Sequence, residues 1–364
     1  MLEHVPAISG IYATEPRNIS TEMKYWRKEC PVFTPFLLLS YGIKLTWGVP
    51  DIECFHTKEY NFLFLDSGGF QIAERGINID AEEVIRWQLR QAELSGTKKI
   101  VAFPLDYPIS GRGSVEVDVS EVEKRASLTN ANLNKLLRYR DRFEVYAIFQ
   151  STDSLKMNEI WWKRAVEPFI KDVDGIALSA RPLKKMHVIS PLSLSYVSEN
   201  FGNGNVHVFM GSGKKIITSL EYFSEKFKRF TFDSSTFTMM TARGSFNLLG
   251  LDKAISGNTG LKSDLEYIGL RCRCPACLEL AEGDIGSLLN TNKSFKYTIL
   301  SLHNLFHIHQ YMDYLHIVHR LRYEKFLNML QKIGIDVEFL KTFEEEGFQK
   351  AYEKRFQGRL NRWF

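Results

Sequence analysis

The sequence lacks the features of membrane proteins, of disulfide-linked proteins and of strongly basic, histone-like nucleic-acid-binding proteins. No apolar run approaches the roughly 20 residues that a membrane-spanning helix needs, and residues 62–65 are typical of its short runs. Cysteine is scarce, at five of 364 residues. The odd number and the lack of a recognisable signal peptide lead us to expect reduced thiols in a cytoplasmic protein. The formal net charge of +4 permits a polyanionic partner without requiring one.

Other missing motifs argue against several common types of active site. No Gly-x-Gly-x-x-Gly follows the first predicted strand, which argues against a dinucleotide-binding domain. The predicted strand ends carry no lysine for a Schiff base and no histidine, since His207 is expected to begin its strand. A catalytic Ser–His pair is therefore not indicated. Internal repeats and low-complexity segments are also missing.

Three of the five cysteines are concentrated in the run Cys272-x-Cys274-x2-Cys277. Three thiols and one imidazole form the ligand set of a closed tetrahedral zinc site, which leaves no position for a catalytic water. We therefore expect one structural Zn²⁺ per chain, and chemistry elsewhere. The spacing alone leaves the fourth ligand open among His303, His307, His309, His316 and His319. Cys30 and Cys54 are interpreted as small core residues.

Short apolar runs alternate with amphipathic segments through most of the chain. We predict strands at residues 32–39, 62–66, 99–106, 144–150, 175–179, 206–210 and 229–233. Helices are predicted at residues 81–95, 119–137, 155–171, 192–201 and 218–226. This alternation favours an α/β fold, a (β/α)8 TIM barrel over residues 1–264. A zinc-binding helical subdomain would follow at 265–320, and C-terminal helices with a basic tail at 321–364.

The tail, residues 349–364, interleaves basic and aromatic side chains. It suits a phosphate backbone with exposed bases, or an amphipathic helix packed on the body.

Polar residues follow the predicted strands at Asp66, Asp106, Gln150, Ser179 and Asp233. In a parallel barrel the carboxyl ends of the strands share the face that carries the active site. Several carboxylates on one face suit a nucleophile and a general acid/base, as in retaining glycosyl transfer. A magnesium site is the alternative, and each aspartate alone could be a helix N-cap. Gly68 and Gly69 would let a flat ligand approach the backbone.

These motifs resemble the tRNA-guanine transglycosylase family in order and spacing, over roughly residues 60–310. The resemblance rests on Asp-Ser-Gly-Gly-Phe-Gln at 66–71, Phe-Met-Gly-x-Gly at 209–213 and the aspartate after the next strand. It rests also on the cysteine run with Leu-His-Asn-Leu at 302–305. It implies a (β/α)8 barrel with a structural zinc, and exchange of guanine in a polynucleotide for a 7-deazaguanine. It also selects His303 as the fourth zinc ligand.

The resemblance also implies a role for each matching residue. Asp233 would be the nucleophile that attacks C1′ of the sugar, and Asp66 the general acid/base. Asp106 and Gln150 would read the hydrogen-bonding edge of the base. The remaining base contacts would come from Ser67, Phe70, Ala177, Leu178, Met210 and Gly211. The target base must leave its stack to reach such a pocket.

Departures from the family pattern favour DNA over tRNA as the polymer. The Gly-Gly-Leu of the family is Ile176-Ala177-Leu178 here. The Pro-Thr-Arg stretch that follows the nucleophile is replaced, although Arg243 lies in a segment resembling what comes further downstream. The Asn-Thr-Tyr-His-Leu block and the additional RNA-binding domain of archaeal members are also missing. The chain is therefore most similar to the branch that inserts preQ0-type bases into DNA in bacteria and phages.

Other functions remain open. A tRNA enzyme that inserts preQ1, preQ0 or queuine is the first alternative, and a non-catalytic zinc-stapled nucleic-acid-binding subunit is the second. A nucleoside hydrolase would not need Lys214 and Lys215, which we expect, together with Arg243, to contact nucleic acid. The resemblance also implies a homodimer and helper proteins of a DNA-modification system.

Overall fold

The computed structural model describes residues 1–48, 51–55, 62–97, 99–109, 118–152, 154–180, 186–211, 213–242, 272–284 and 291–360. Within these ranges all eight strands are parallel and form one sheet in the order β1-β8-β7-β6-β5-β4-β3-β2. The strands are β1 (Leu2–Pro6), β2 (Phe36–Ser40), β3 (Phe62–Asp66), β4 (Ile100–Ala102), β5 (Glu144–Ser151), β6 (Gly175–Ala180), β7 (Asn205–Val208) and β8 (Arg229–Ser234).

The sheet is a nearly closed (β/α)8 barrel, as predicted. The two ends of the strand order, β1 and β2, are joined by one bridge between Ala7 and Leu38, and the Ile8 amide donates to the Leu38 carbonyl at 3.0 Å. Elsewhere the pairing is longer, up to six register pairs between β5 and β6. The seam between β1 and β2 is therefore the thinnest part of the barrel wall.

Side chains fill the barrel from alternate strand positions. The interior cluster includes Phe64, Phe103, Tyr146 and Ala177. Their neighbours along the strands, such as Leu65 and Leu178, face the helices in the larger outer core. This alternation follows from the two-residue period of a strand, and it places the polar strand ends above a packed apolar floor.

Helices alternate with the strands and then continue beyond the barrel. They are α1 (Ile11–Thr14), α2 (Tyr41–Trp47), α3 (Gly69–Arg75), α4 (Ala81–Ser95), α5 (Val119–Leu136), α6 (Leu155–Trp161), α7 (Met186–Phe201), α8 (Lys214–Glu221), α9 (Thr236–Ala242), α10 (Pro275–Ala281), α11 (Lys293–Leu321), α12 (Tyr323–Lys332), α13 (Val337–Glu346) and α14 (Phe348–Leu360). No helix in the described part of the chain is long and apolar enough to cross a membrane.

Several predicted boundaries were wrong. Helix α7 begins at Met186 instead of residue 192, and α8 spans Lys214–Glu221 instead of residues 218–226. A proline lies close to three other differences. Strand β2 begins at Phe36 instead of residue 32, directly after Pro35. Strand β4 ends at Ala102, two residues before Pro104, because proline has no N–H for the ladder. The helix predicted at 155–171 is α-helical only as far as Trp161. It is followed by a π-helical turn, Trp162–Val166, and by a 3-10 turn that contains Pro168.

Strand β1 was missed altogether. Its sequence Leu-Glu-His-Val-Pro has no apolar run, yet Leu2, His4 and Val5 are buried. His4 is tolerated there because its ring stacks on Phe232 and its Nδ1 lies 3.2 Å from Nε2 of His309 on α11.

Helix α11 packs directly against the barrel. Asn304 donates to the Thr241 hydroxyl on α9 at 3.0 Å, and the Tyr311 and Thr218 hydroxyls lie 2.8 Å apart. Because α11 spans Lys293–Leu321, it covers the predicted boundary at residue 320 without a break. The division into a barrel, a zinc subdomain and C-terminal helices stays a prediction.

Candidate functional site

The predicted aspartates lie at the carboxyl ends of the strands. Asp66 is the last residue of β3, Asp106 follows β4, and Asp233 is the penultimate residue of β8. Asp66 is partly buried, whereas Asp106 and Asp233 are buried. The charge of Asp233 raises the pKa of Asp66, and the charge of Asp66 raises the pKa of Asp106. The structure therefore brings the three carboxylates together on one face.

Asp66 is held from three directions. The Ser40 hydroxyl at the end of β2 donates to Asp66 Oδ2 at 2.6 Å, and the backbone amides of Ser67 and Gly68 also donate to this carboxylate. Burial and the nearby charge of Asp233 outweigh these hydrogen bonds and raise the pKa of Asp66 to about 6. A carboxyl group with such a pKa can both give and take a proton near neutral pH.

Asp106 pairs with Gln150, whose side-chain amide donates to Asp106 Oδ2. Burial, followed by the charge of Asp66, raises the pKa of Asp106 to about 7. The carboxylate also sits against the backbone at Gly69, where any added Cβ would overlap Asp106 Oδ1. A Cβ added at Gly68, whose φ is 91°, would lie 2.6 Å from the Gly42 nitrogen. The lack of side chains at Gly68 and Gly69 therefore makes room for Gly42 and for the Asp106 carboxylate.

Asp233 is anchored through one oxygen. The Met210 amide donates to Asp233 Oδ1 at 2.8 Å. Met210 adopts a left-handed φ of 58°, a conformation that costs free energy for a residue with a side chain. Asp233 also lies 3.4 Å, through Oδ1, from Nε2 of His207.

This histidine corrects one expectation. The sequence predicted that no histidine would lie near the aspartates, because His207 was expected to begin a strand. The strand β7 begins two residues earlier, at Asn205, and ends at Val208. His207 is therefore an interior residue of the barrel, and its ring reaches Asp233. Its position in the interior face of β7 could have been found from the alternation of β7 side chains.

The other predicted base-binding residues are placed as follows. Ser67 is fully buried, and its hydroxyl has no hydrogen-bond partner in the described part of the chain. The Leu178 carbonyl accepts the Phe209 amide at 2.9 Å, which occupies one of its two acceptor directions, and Ala177 is buried in the barrel interior. Gly211 is packed so closely on Phe232 that a Cβ would lie 2.8 Å from the ring. The side chain of Phe70 lies outside the described residues.

Two buried side-chain amides missed by sequence reasoning support the site. Gln88 of α4 donates to the carbonyls of Leu65 and Phe103, at 3.0 and 2.9 Å. Asn132 of α5 donates to the Leu105 carbonyl at 2.9 Å. These bonds fix the chain directly before Asp66 and Asp106. The signal was a polar residue on the apolar face of an amphipathic helix, where a buried amide must find a partner.

The predicted nucleic-acid contacts are only partly described. Lys214 and Lys215 are exposed at the beginning of α8, and Arg243 lies outside the described residues. The tail and the residue before it are described in part, and contact of the tail with nucleic acid stays a prediction. Phe348 and Ala351 are buried, while Lys354 and Arg355 form ion pairs with Glu346 and Asp336, as in a packed amphipathic helix.

A second cluster could hold a metal ion. The donor atoms of Cys272, Cys274, His303 and His307 all lie within 4.8 Å of one another. Nδ1 of His303 is 3.6 Å from Cys274 Sγ and 3.4 Å from Cys277 Sγ, and Nε2 of His307 is 3.5 Å from Cys272 Sγ. Two ligands of one tetrahedral zinc, with bonds of about 2.3 Å to sulfur and 2.0–2.1 Å to nitrogen, are separated by about 3.6 Å. The donors present therefore fit zinc.

These four donors are the number that a tetrahedral site takes, and they include His307 where the predicted set has Cys277. Cys277 Sγ lies beside them, in contact with Nδ1 of His303. His309 contacts His4 instead, and His316 and His319 lie 2.9 and 3.5 Å from the buried Glu221. Of the five histidines left open by spacing, the structure brings two to the cysteines. Cys30 is buried as predicted, and the side chain of Cys54 is not described.

Comparison with protein-family models and with curated protein sequences gives no match for this chain. The residues of the two sites therefore carry the functional argument.

Proposed function

We propose that this protein is a base-exchange glycosyltransferase that replaces guanine in DNA by a 7-deazaguanine of the preQ0 type. One observation carries the proposal. Three carboxylates from three strand ends converge on one face, one of them held by a single oxygen and two with raised pKa values. Such a set supplies an anionic nucleophile and a proton donor in one pocket, as retaining glycosyl transfer requires.

The proposed reaction begins with attack by the Asp233 carboxylate on C1′ of the sugar. The bond between C1′ and the base breaks as the new ester bond forms, and the electron pair leaves with guanine. Asp66 gives the departing base a proton, for which a pKa of about 6 suits it near neutral pH. The incoming 7-deazaguanine returns a proton to Asp66 and displaces Asp233 from C1′. The backbone of the polymer stays intact.

Asp106 and Gln150 are proposed to recognise the base. Guanine presents N–H groups on its Watson–Crick edge beside a carbonyl oxygen, which match a carboxylate acceptor and an amide donor. The hydroxyl of Ser67, which has no hydrogen-bond partner among the described residues, offers a further polar contact. Because the pocket floor is the packed barrel interior, the base must be flipped out of its stack to enter.

The metal cluster is proposed to bind a structural Zn²⁺, held by Cys272, Cys274, Cys277 and His303. Bound zinc would stabilise the junction of α10 and α11 without taking part in base exchange. The choice of DNA over tRNA as the polymer rests on the altered residues that follow Asp233.

The proposal is tested by incubating the protein with 7-cyano-7-deazaguanine and either duplex DNA or tRNA. Nucleoside mass spectrometry then shows which polymer carries the modified base. We expect incorporation into DNA, and incorporation into tRNA alone would establish the tRNA alternative. Absence of exchange with both polymers, in duplex and single-stranded form, would refute the proposed activity.

Asp233→Ala should lower exchange by at least about 10³-fold, because it removes the covalent step. Its matched control is Asp141→Ala, an exposed aspartate just before the amino end of β5, on the opposite face of the barrel. Both variants should keep the melting temperature of the wild type within a few degrees. An Asp233→Ala variant that retains near wild-type turnover would exclude Asp233 as the nucleophile.

A further inference from the structure

His207 is a buried imidazole in the barrel interior, directly below the proposed nucleophile. It is 0% exposed and is packed among the rings of Phe64, Phe103 and Phe209, with centroid distances of 5.1, 5.2 and 5.1 Å. A phenylalanine ring would fill a similar space without the free-energy cost of removing two polar ring nitrogens from water. The polarity of His207 therefore calls for partners for its two ring nitrogens.

The first nitrogen has a partner. His207 Nδ1 lies 2.8 Å from the hydroxyl of Thr231 on the neighbouring strand β8. The second nitrogen, Nε2, makes no hydrogen bond within the described residues, and the polar atom facing it is Asp233 Oδ1, at 3.4 Å. The Thr231 hydroxyl also lies 3.5 Å from the Val206 carbonyl, a longer contact than the 2.8 Å one to Nδ1. With the Thr231 O–H donating to Nδ1, the ring proton is on Nε2 and points at the Asp233 carboxylate.

We propose that His207 is a positioning residue, which together with the Met210 amide holds Asp233 by Oδ1 and leaves Oδ2 to form the bond to the sugar. This inference rests on the proposed function, since it assigns the attacking atom of the proposed nucleophile. His207 acts through Asp233 and does not touch the substrate.

The arrangement has a consequence for each half of the exchange. When Oδ2 attacks C1′, Oδ1 becomes the carbonyl oxygen of the ester and keeps its two donors. When the incoming base attacks C1′, the Oδ2–C1′ bond breaks and its electron pair returns to the carboxylate. Two donors aimed at Oδ1 stabilise the negative charge that develops there. The 3.4 Å contact would shorten as this charge grows, because apo hydrogen bonds of catalytic groups are often long.

Nuclear magnetic resonance tests the contact without any need for substrate. With ¹⁵N-labelled histidine, long-range ¹H–¹⁵N correlations report the tautomer of each imidazole, and His207→Gln identifies the His207 signals by their loss. We expect the Nε2–H tautomer, with a proton shifted downfield by the carboxylate and moved upfield in Asp233→Ala. An Nδ1–H tautomer, or signals unchanged in Asp233→Ala, would overturn the inference whether or not the protein proves to be a transglycosylase.

Two substitutions of different length provide the kinetic test. The side-chain amide of His207→Gln can place an N–H near the position of Nε2, whereas that of His207→Asn reaches Thr231 but falls short of Asp233. We expect His207→Asn to lower kcat for base exchange by about 10- to 100-fold with KM for the polymer little changed, a size typical of groups that orient a reacting residue. His207→Gln should recover most of that rate.

The two variants also separate positioning from packing. Both remove the same ring and are expected to lower the melting temperature similarly, so packing alone would lower their rates equally. Equal rates in the two variants would therefore refute the positioning role. If the wild type shows no exchange at all, the proposed function fails, while the tautomer of His207 still decides the contact with Asp233.

Discussion

At the scale of single residues, the site depends on carboxyl groups whose protonation is set by their surroundings. Asp106 is buried, and its pKa is raised to about 7 by burial and by the charge of Asp66. In the unfolded chain the same group titrates near the ordinary pKa of an aspartate, 3.8. The folded protein therefore holds a proton on Asp106 that the unfolded chain releases, and folding stability falls as the pH rises between these values.

Asp106→Asn should remove this dependence, because the amide is uncharged and its oxygen can still accept from Gln150. Below pH about 4 the variant and the wild type should be similarly stable. The variant should gain stability relative to the wild type up to pH about 7, and the difference should then stay constant. Urea unfolding at several pH values measures it. A difference that does not change with pH would show that the Asp106 pKa is ordinary.

At the scale of elements, the cysteine cluster joins the beginning of α10 to the middle of α11. Cys274 is the N-cap of α10, and the Cys277 amide donates to its sulfur at 3.4 Å. The spacing of the three cysteines predicted zinc ligands, and the resemblance to the transglycosylase family selected His303 as the fourth. The sequence could not predict the place of His307, which depends on the helix periodicity that puts residues 303 and 307 on one face of α11.

Cys274→Ser should lose the bound zinc and lower the free energy of unfolding by about 4 kcal/mol or more, the size associated with loss of a structural metal. Atomic absorption and thermal unfolding measure both effects, and Cys30→Ala, another buried cysteine, should keep one zinc per chain. Comparing Cys277→Ser with His307→Ala decides which of these two residues is a zinc ligand. We expect the first to lose the metal and the second to retain it.

The contact between β1 and α11 gives a prediction for acid. Burial lowers the pKa of His309 to about 4, and burial together with His309 lowers that of His4 well below its ordinary value. The unfolded chain therefore binds more protons below pH about 6.5, and stability falls as the pH drops from there towards 4. In the double variant His4→Phe, His309→Leu, this slope should decrease by up to about 1.4 kcal/mol per pH unit for each imidazole. Calorimetric scans at pH 7, 6 and 5 measure the pH dependence of stability in both proteins. An unchanged slope in the double variant would contradict the prediction.

At the scale of the whole molecule, the barrel could be predicted because buried parallel strands are continuous apolar runs, as in β2 and β3. Strand β1 could not, because His4 is buried only through a contact with His309, which lies 305 residues away in the sequence. The same limit applied to the site. Asp66, Asp106 and Asp233 follow strands and were recognised, whereas the role of Ser40 depends on the register that pairs it with Asp66.

The seam between β1 and β2 should be the most labile part of the sheet. One bridge, Ala7 to Leu38, joins these strands, whereas six register pairs join β5 and β6. Native-state hydrogen exchange should therefore show the Ile8 amide opening with a lower free energy than the amides of β5 and β6. Equal protection across the sheet would mean that packing from the helices, not strand pairing, controls opening.

The pairing of β1 with β8 also sets an order of events during synthesis. Leu2 pairs with Phe230, so the first strand of the barrel to be synthesised has its main partner in the last strand of the barrel. At about 5–20 residues per second, translation needs on the order of 10–45 s between the two. During that interval β1 lacks its main partner, and the carboxylate face stays incomplete because Asp233 belongs to the last strand. Nascent chains halted before residue 229 are thus the ones that chaperones would be expected to bind.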